Sequence, residues 1–168
     1  MPAPLTSALD RMKPHSPRQR TEALLLEPFK WLANELGLPY KSGQGGANRI
    51  SISKSAYFQF GDLHVDLPDR IVVVEVESAG GVTNLAKYWE ALASGRIAKP
   101  LKLLHVFLQK SANDYEAHLL VWRFLQEQMS VRLGRRWEAL CATTTGTSHE
   151  ELQIAVEQFH YLLTHNAV

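Results

Sequence analysis

Three carboxylates sit close together in one short stretch of this chain. Asp62 opens Asp62-Leu63-His64-Val65-Asp66-Leu67-Pro68, and Glu75 and Glu77 close Ile71-Val72-Val73-Val74-Glu75-Val76-Glu77. Like charges gathered this way repel unless one is protonated or a cation lies between them. A divalent metal ion is the usual cation, and Mg²⁺ or Mn²⁺ takes carboxylate and water oxygens while keeping positions open for a phosphate.

Two strands must bring these acids together. Leu63, Val65 and Leu67 alternate with His64 and Asp66, the period of a half-buried strand. Ile71 to Val74 is a β-branched run suited to a strand buried on both faces. Pro68-Asp69 is turn chemistry. A turn centred there opposes Val65 to Val72 and Asp62 to Glu75, with opposed Cβ atoms about 4.5–5.5 Å apart. Glu77, two residues past Glu75, falls on the same face. An odd loop length would slip the register and move the pairs apart. His64 shares the Asp62 face and is a candidate ligand, although a lone histidine is more often simply packed.

The remaining elements follow from periodicity and caps. Residues 1–15 form a Pro-rich arm. Ser16-Pro17-Arg18-Gln19 starts a helix whose stripe is Leu25, Phe29, Leu32 and Leu36, with Gly37 at its end. Pro28 is expected to kink or split this helix. Glu22 lies at the edge of the stripe and is either a further acid of the centre or an ordinary first-turn acid. Asn48–Lys54 and Ala56–Phe60 alternate like strands. Gly43-Gln44-Gly45-Gly46 lacks the Lys-Ser/Thr of a phosphate-binding P-loop.

Beyond the hairpin, residues 82–94 fit a helix with Leu85, Tyr88, Trp89 and Leu92 inward, ended by Gly95. Residues 101–109 fit a buried strand, 111–129 a helix, 137–143 a strand, and Ser148-x-x-Glu151 opens a last helix. Trp89, Trp122 and Trp137 are expected in the core. The order is helix, three strands, helix, strand, then a helix–strand–helix extension: an α/β fold with a mixed sheet flanked by helices. Residues 16–168 form one domain, with a core of about 16–110 and an extension of about 111–168.

Composition narrows the function classes. The 168 residues carry 45% apolar and 21% charged side chains, with a formal net charge of +1. One cysteine, Cys141, excludes a disulfide framework and a cysteine zinc site. No apolar run approaches a membrane span and the N-terminus lacks a signal-peptide pattern, so a cytoplasmic protein is expected. Basic residues cluster locally: Arg11, Lys13, Arg18 and Arg20; then Lys41, Arg49 and Lys54; then Arg132, Arg135 and Arg136. Such segments around an acidic centre suit a rim that holds phosphates. The alternative is ordinary solvated charge.

These residues and their order resemble the PD-(D/E)XK nuclease superfamily, which has the restriction-endonuclease-like α-β-β-β-α-β core. Gly61-Asp62 stands where the family has Pro-Asp, and Glu75-Val76-Glu77 where it has Glu-x-Lys. The resemblance implies a DNA-cleaving enzyme in which Asp62, Glu75 and the Val76 carbonyl hold Mg²⁺ or Mn²⁺. Glu22 resembles the first-helix acid of many members. Asn84-x-x-x-Tyr88 resembles a Gln-x-x-x-Tyr motif, which with Arg18, Arg20, Lys54 and Lys87 supplies candidate DNA contacts. A homodimer is the family's way of cutting both strands.

Glu77 departs from the pattern, because it replaces the family's lysine. It is then a general base or further ligand. Lys87 could supply the missing charge, although periodicity places it off the Leu85/Tyr88/Leu92 face. The remaining readings are an inactive module of the same fold that binds nucleic acid or protein, and a plain α/β domain with solvated strand-end acids.

Overall fold

The structure is a computed structural model that describes residues 22–43, 46–78, 81–109, 115–146 and 148–165. The arm over 1–15, the helix start at Ser16-Pro17, Arg18, Arg20 and Ser111 lie outside these residues. Five strands make one mixed sheet: β1 (Tyr40–Ser42), β4 (Leu63–Asp66), β5 (Ile71–Glu77), β6 (Leu101–Leu108) and β7 (Trp137–Thr144), side by side in that order. The pairs β1–β4 and β4–β5 are antiparallel, and β5–β6 and β6–β7 are parallel. Strands β2 (Arg49–Ser51) and β3 (Tyr57–Gln59) form a separate two-stranded sheet.

Helices cover both faces. Helices α1 (Glu22–Glu35) and α4 (His149–Thr164) lie on one side, and α2 (Thr83–Ala93) and α3 (Glu116–Leu133) on the other. The alternation along β5 divides the core between them. Val72, Val74 and Val76 pack with Leu25, Phe29, Leu32, Leu152 and Phe159, whereas Ile71 and Val73 pack with Leu85, Tyr88, Leu92 and Trp122. A strand buried on both faces has no polar side to spare, and the two glutamates that end β5 therefore stand out. Among the described residues no helix is long and apolar enough to cross a membrane.

Most expected elements are present. The apolar stripe of α1 is buried, and Gly37 follows its end with a φ of 67°. Ser148 caps α4, its hydroxyl accepting the Glu151 N–H at 3.3 Å. Trp122 and Trp137 are buried, while Trp89 is half-buried against Arg132. Pro28 neither splits nor ends α1, which runs continuously through it.

Two expectations need correction. The strands around Ile50 and Phe58 do not join the main sheet. Ile50 is buried, but Ile52 and Phe58 remain exposed, so the segment buries too little to serve as a core strand. The edge of β4 is taken instead by Tyr40–Ser42, three residues between Pro39 and Gly43 that are too short to show a period.

Candidate active site at the open end of the hairpin

The hairpin has the register that the turn chemistry predicts. Val65 pairs with Val72, and the Leu67 N–H donates to the Arg70 carbonyl at 2.9 Å. Leu63 pairs with Val74, yet the Asp62 N–H also donates to the Val74 carbonyl, at 3.0 Å. Two residues thus oppose one, the signature of a β-bulge, which re-aims a side chain and ends the pairing. The simple opposition of Asp62 to Glu75 is corrected accordingly. The Asp62 carboxylate reaches past Glu75, and Oδ2 accepts the Val76 N–H at 2.7 Å.

The bulge is held from three directions. Gly61 has a φ of 74°, and a Cβ there would overlap the Val73 side chain, so glycine is required on both counts. Buried Asn48 donates through Nδ2 to the carbonyls of Gly43 (2.7 Å) and Gly61 (2.9 Å). Gln59 donates to the Gly61 carbonyl at 2.9 Å and to Asp62 Oδ1 at 3.3 Å. Neither Asn48 nor Gln59 stands out in the sequence, where each is a polar residue within an alternating run.

His64 belongs to the same clamp. Its Nδ1 is 2.7 Å from Asn48 Oδ1, and the ring stacks on Phe60 at a centroid distance of 4.6 Å. Burial lowers its pKa, partly offset by the hydrogen bond with the Phe60 carbonyl. These contacts make His64 a packed hydrogen-bonding residue.

Glu75 is buried on the α2 side of the sheet. Lys87 Nζ lies 2.6 Å from its Oε1, and the Tyr88 hydroxyl donates to the same oxygen. The Lys87 and Glu75 side chains are 11% and 6% exposed, so the pair is screened from water. The expectation that Lys87 lies off the inward face of α2 is corrected: its four-carbon stem carries the ammonium across to the sheet.

Tyr88 is fully buried, which corrects its assignment as a DNA contact; its hydroxyl holds Glu75. Burial, reinforced by the Glu75 charge and then that of Asp62, pushes its phenol well above the ordinary value.

Glu77 also points to the α2 side, but toward the start of the helix. A Cβ on Gly81 would overlap its carboxylate and would come within 3.1 Å of Asn84 Nδ2. Glu77 and Asn84 thus meet at the backbone that leads into α2, one turn away from Lys87.

Glu22 is the first residue of α1, and its side chain lies outside the described residues. Lys54 is exposed at the far end of the β2–β3 hairpin. Nothing in the spacing singles out His105, the parallel neighbour of Glu75 on β6. It is fully buried, accepts the Trp122 indole N–H at Nδ1 (3.0 Å) and stacks on Phe107. Burial, with a smaller contribution from the Lys87 charge, lowers its pKa to about 3.

The oxygens at this strand end are of the hard type that a divalent cation takes. Both protein donors to Glu75 use Oε1. Val76 directs its N–H to Asp62, and in an extended strand its carbonyl opens on the same side. Two carboxylates and a carbonyl match what Mg²⁺ takes from a protein when substrate phosphate and water complete its shell. Among the described residues no group of three or more His, Cys, Asp and Glu side chains could hold a metal ion, so any metal here would rely on this smaller set.

Compared with known proteins, the chain matches no family model, no curated protein and no solved structure.

Proposed function

We propose that this protein is a metal-dependent nuclease with a restriction-endonuclease-like core, and that it hydrolyses DNA phosphodiester bonds. One observation carries the reading. The cation that the Glu-x-Glu segment lacks is supplied by Lys87, 2.6 Å from Glu75, beside a carboxylate on a bulge at the same strand end.

Asp62, Glu75 and the Val76 carbonyl are the residues that would hold Mg²⁺ or Mn²⁺. Such an ion would polarise the scissile phosphate and lower the pKa of a bound water. The chain's own groups do the rest. Lys87 offers a fixed positive charge where negative charge grows on the phosphoryl oxygens, in a site that is already partly dry. Tyr88 fixes Glu75 Oε1 by hydrogen bonding. The Val76 N–H fixes Asp62 in the same way.

The test is cleavage of plasmid and of single-stranded DNA in Mg²⁺ or Mn²⁺, with Asp62→Ala and Glu75→Ala as controls. The expected result is cleavage by the wild type, with both variants inactive. Equal background in all three, with DNA binding retained, would instead establish a catalytically inactive module of the same fold.

A further inference from the structure

We infer that the β2–β3 hairpin is a docking platform for single-stranded nucleic acid, placed to feed an unpaired strand to Asp62. The inference rests on the nuclease reading for its destination, but the platform itself rests on separate observations.

Charge is the first. No acidic residue occurs between Glu35 and Asp62, whereas Lys41, Arg49 and Lys54 all fall in that interval. Among the described residues, Lys30, Arg70, Lys87, Arg96, Lys99 and Lys102 each have a carboxylate partner. Lys41, Arg49 and Lys54 have none among the described residues, as is also true of Arg123, Arg132, Arg135 and Arg136 on and after α3, but only the first three lie in the stretch without acids between Glu35 and Asp62. Cations left without carboxylates along a stretch that holds no acid are the footprint of a phosphate track.

Geometry is the second. Arg49 pairs with Gln59, and Ser51 with Tyr57, so these four residues share one face of the hairpin. Tyr57 is 46% exposed, and the Arg49 guanidinium lies over its ring at 4.0 Å. The opposite face carries Ile50, which is buried and anchors the hairpin to the α2/α3 side of the core. An exposed aromatic ring stiffened by a cation, on an anchored hairpin, is a stacking surface for an unpaired base.

Direction is the third. Gln59 follows Tyr57 on the same face and donates to Asp62 Oδ1 at 3.3 Å. The face that bears Arg49 and Tyr57 therefore runs into the proposed metal ligand. Lys41 pairs with His64, which places it on the same side of the main sheet as Glu75. A duplex keeps its bases stacked inside and offers this ring nothing, so the platform selects single strands.

The experiment measures anisotropy of a fluorescein-labelled oligothymidylate, and of a duplex of equal length, in EDTA so that cleavage plays no part. The wild type is expected to bind the single strand more tightly. Tyr57→Ala should weaken that binding by about tenfold, and Tyr57→Phe should leave it unchanged. Arg49→Ala and Lys54→Ala should each lower the salt slope by about 0.7.

Tyr57 and Lys54 are exposed, and thermal melts would confirm that their variants fold. Preference for the duplex, or unchanged binding by Tyr57→Ala, would overturn the inference. The two readings fail separately. A chain that cuts DNA without this preference overturns the platform alone, and one that binds single strands but never cuts overturns the nuclease alone.

Discussion

Lys87 and Glu75 form a buried ion pair across the gap between α2 and β5, with Nζ 2.6 Å from Oε1 and neither side chain more than about a tenth exposed. A pair in this position is expensive to break and inexpensive to delete. Removing one partner leaves a desolvated charge, at a cost of about 3–5 kcal/mol, whereas replacing both with apolar groups is often neutral. Lys87→Met should therefore destabilise the fold by about 3 kcal/mol, and a second change of Glu75→Leu should recover most of it. Urea denaturation of the four proteins in the cycle measures the coupling. An additive pair of single effects would mean that the charges are solvated in solution.

The pair also shows what the sequence could and could not disclose. Strand period and turn chemistry were enough to set the hairpin register, because Val65 and Val72 can bury together only in that alignment. The helices on either side, and the Ser148 cap, were legible for the same local reasons. Lys87 was not. A helical wheel places Cβ atoms, and a lysine stem is long enough to return from the wheel's edge to the sheet. Period and turn put Asp62 at the end of the first hairpin strand but do not set its relation to Glu75, because a bulge leaves no mark on the period. Asn48 and His105 carry no local signal because their partners, Gly61 and Trp122, lie far off in sequence.

His105 makes the fold sensitive to acid. Its pKa falls from an ordinary 6.5 to about 3 on folding, because burial disfavours the imidazolium. Between those values the unfolded chain binds the proton and the folded chain does not. Stability is thus fully present above pH 6.5 and falls as the pH drops toward 3, by at most about 1.4 kcal/mol per pH unit from this group. His64, also lowered by burial, acts in the same direction. His105→Gln retains an acceptor for the Trp122 N–H and should flatten the acid limb of a stability–pH curve. An unchanged slope would show that His105 is already protonated, or accessible, in the folded protein.

Gly61 is the hinge on which Asp62 turns. An alanine there must hold a left-handed φ, costing about 1–2 kcal/mol, and its Cβ meets Val73 in a packed strand, adding about 1–3 kcal/mol. Gly61→Ala should lower the melting temperature and, beyond that, release the Asp62 carboxylate from the Val76 N–H. Isothermal titration with Mn²⁺, run where the variant is still folded, separates the two effects. Wild-type affinity in the folded variant would show that Asp62 needs no bulge to reach its place.

Lys87 and Glu77 compete for one role, and their geometry predicts which of them matters. Lys87 contacts Glu75 directly, whereas the Glu77 carboxylate lies against the Gly81 backbone at the start of α2. If Lys87 is the group that steadies charge on the phosphate, Lys87→Ala should cut the cleavage rate by about 10²–10³, the usual loss for one preorganised electrostatic group. Glu77→Ala should change it by less than about tenfold, since its carboxylate lies against the start of α2 rather than on Glu75. The pH profile then separates the roles. A general base at Glu77 would leave an acid limb that disappears in Glu77→Ala, whereas a positioning role for the carboxylate leaves the limb intact. Plasmid nicking in Mn²⁺ by both variants, across pH 5 to 9, reads out each outcome. A dead Glu77→Ala beside an active Lys87→Ala would reverse the assignment and make Glu77 the base.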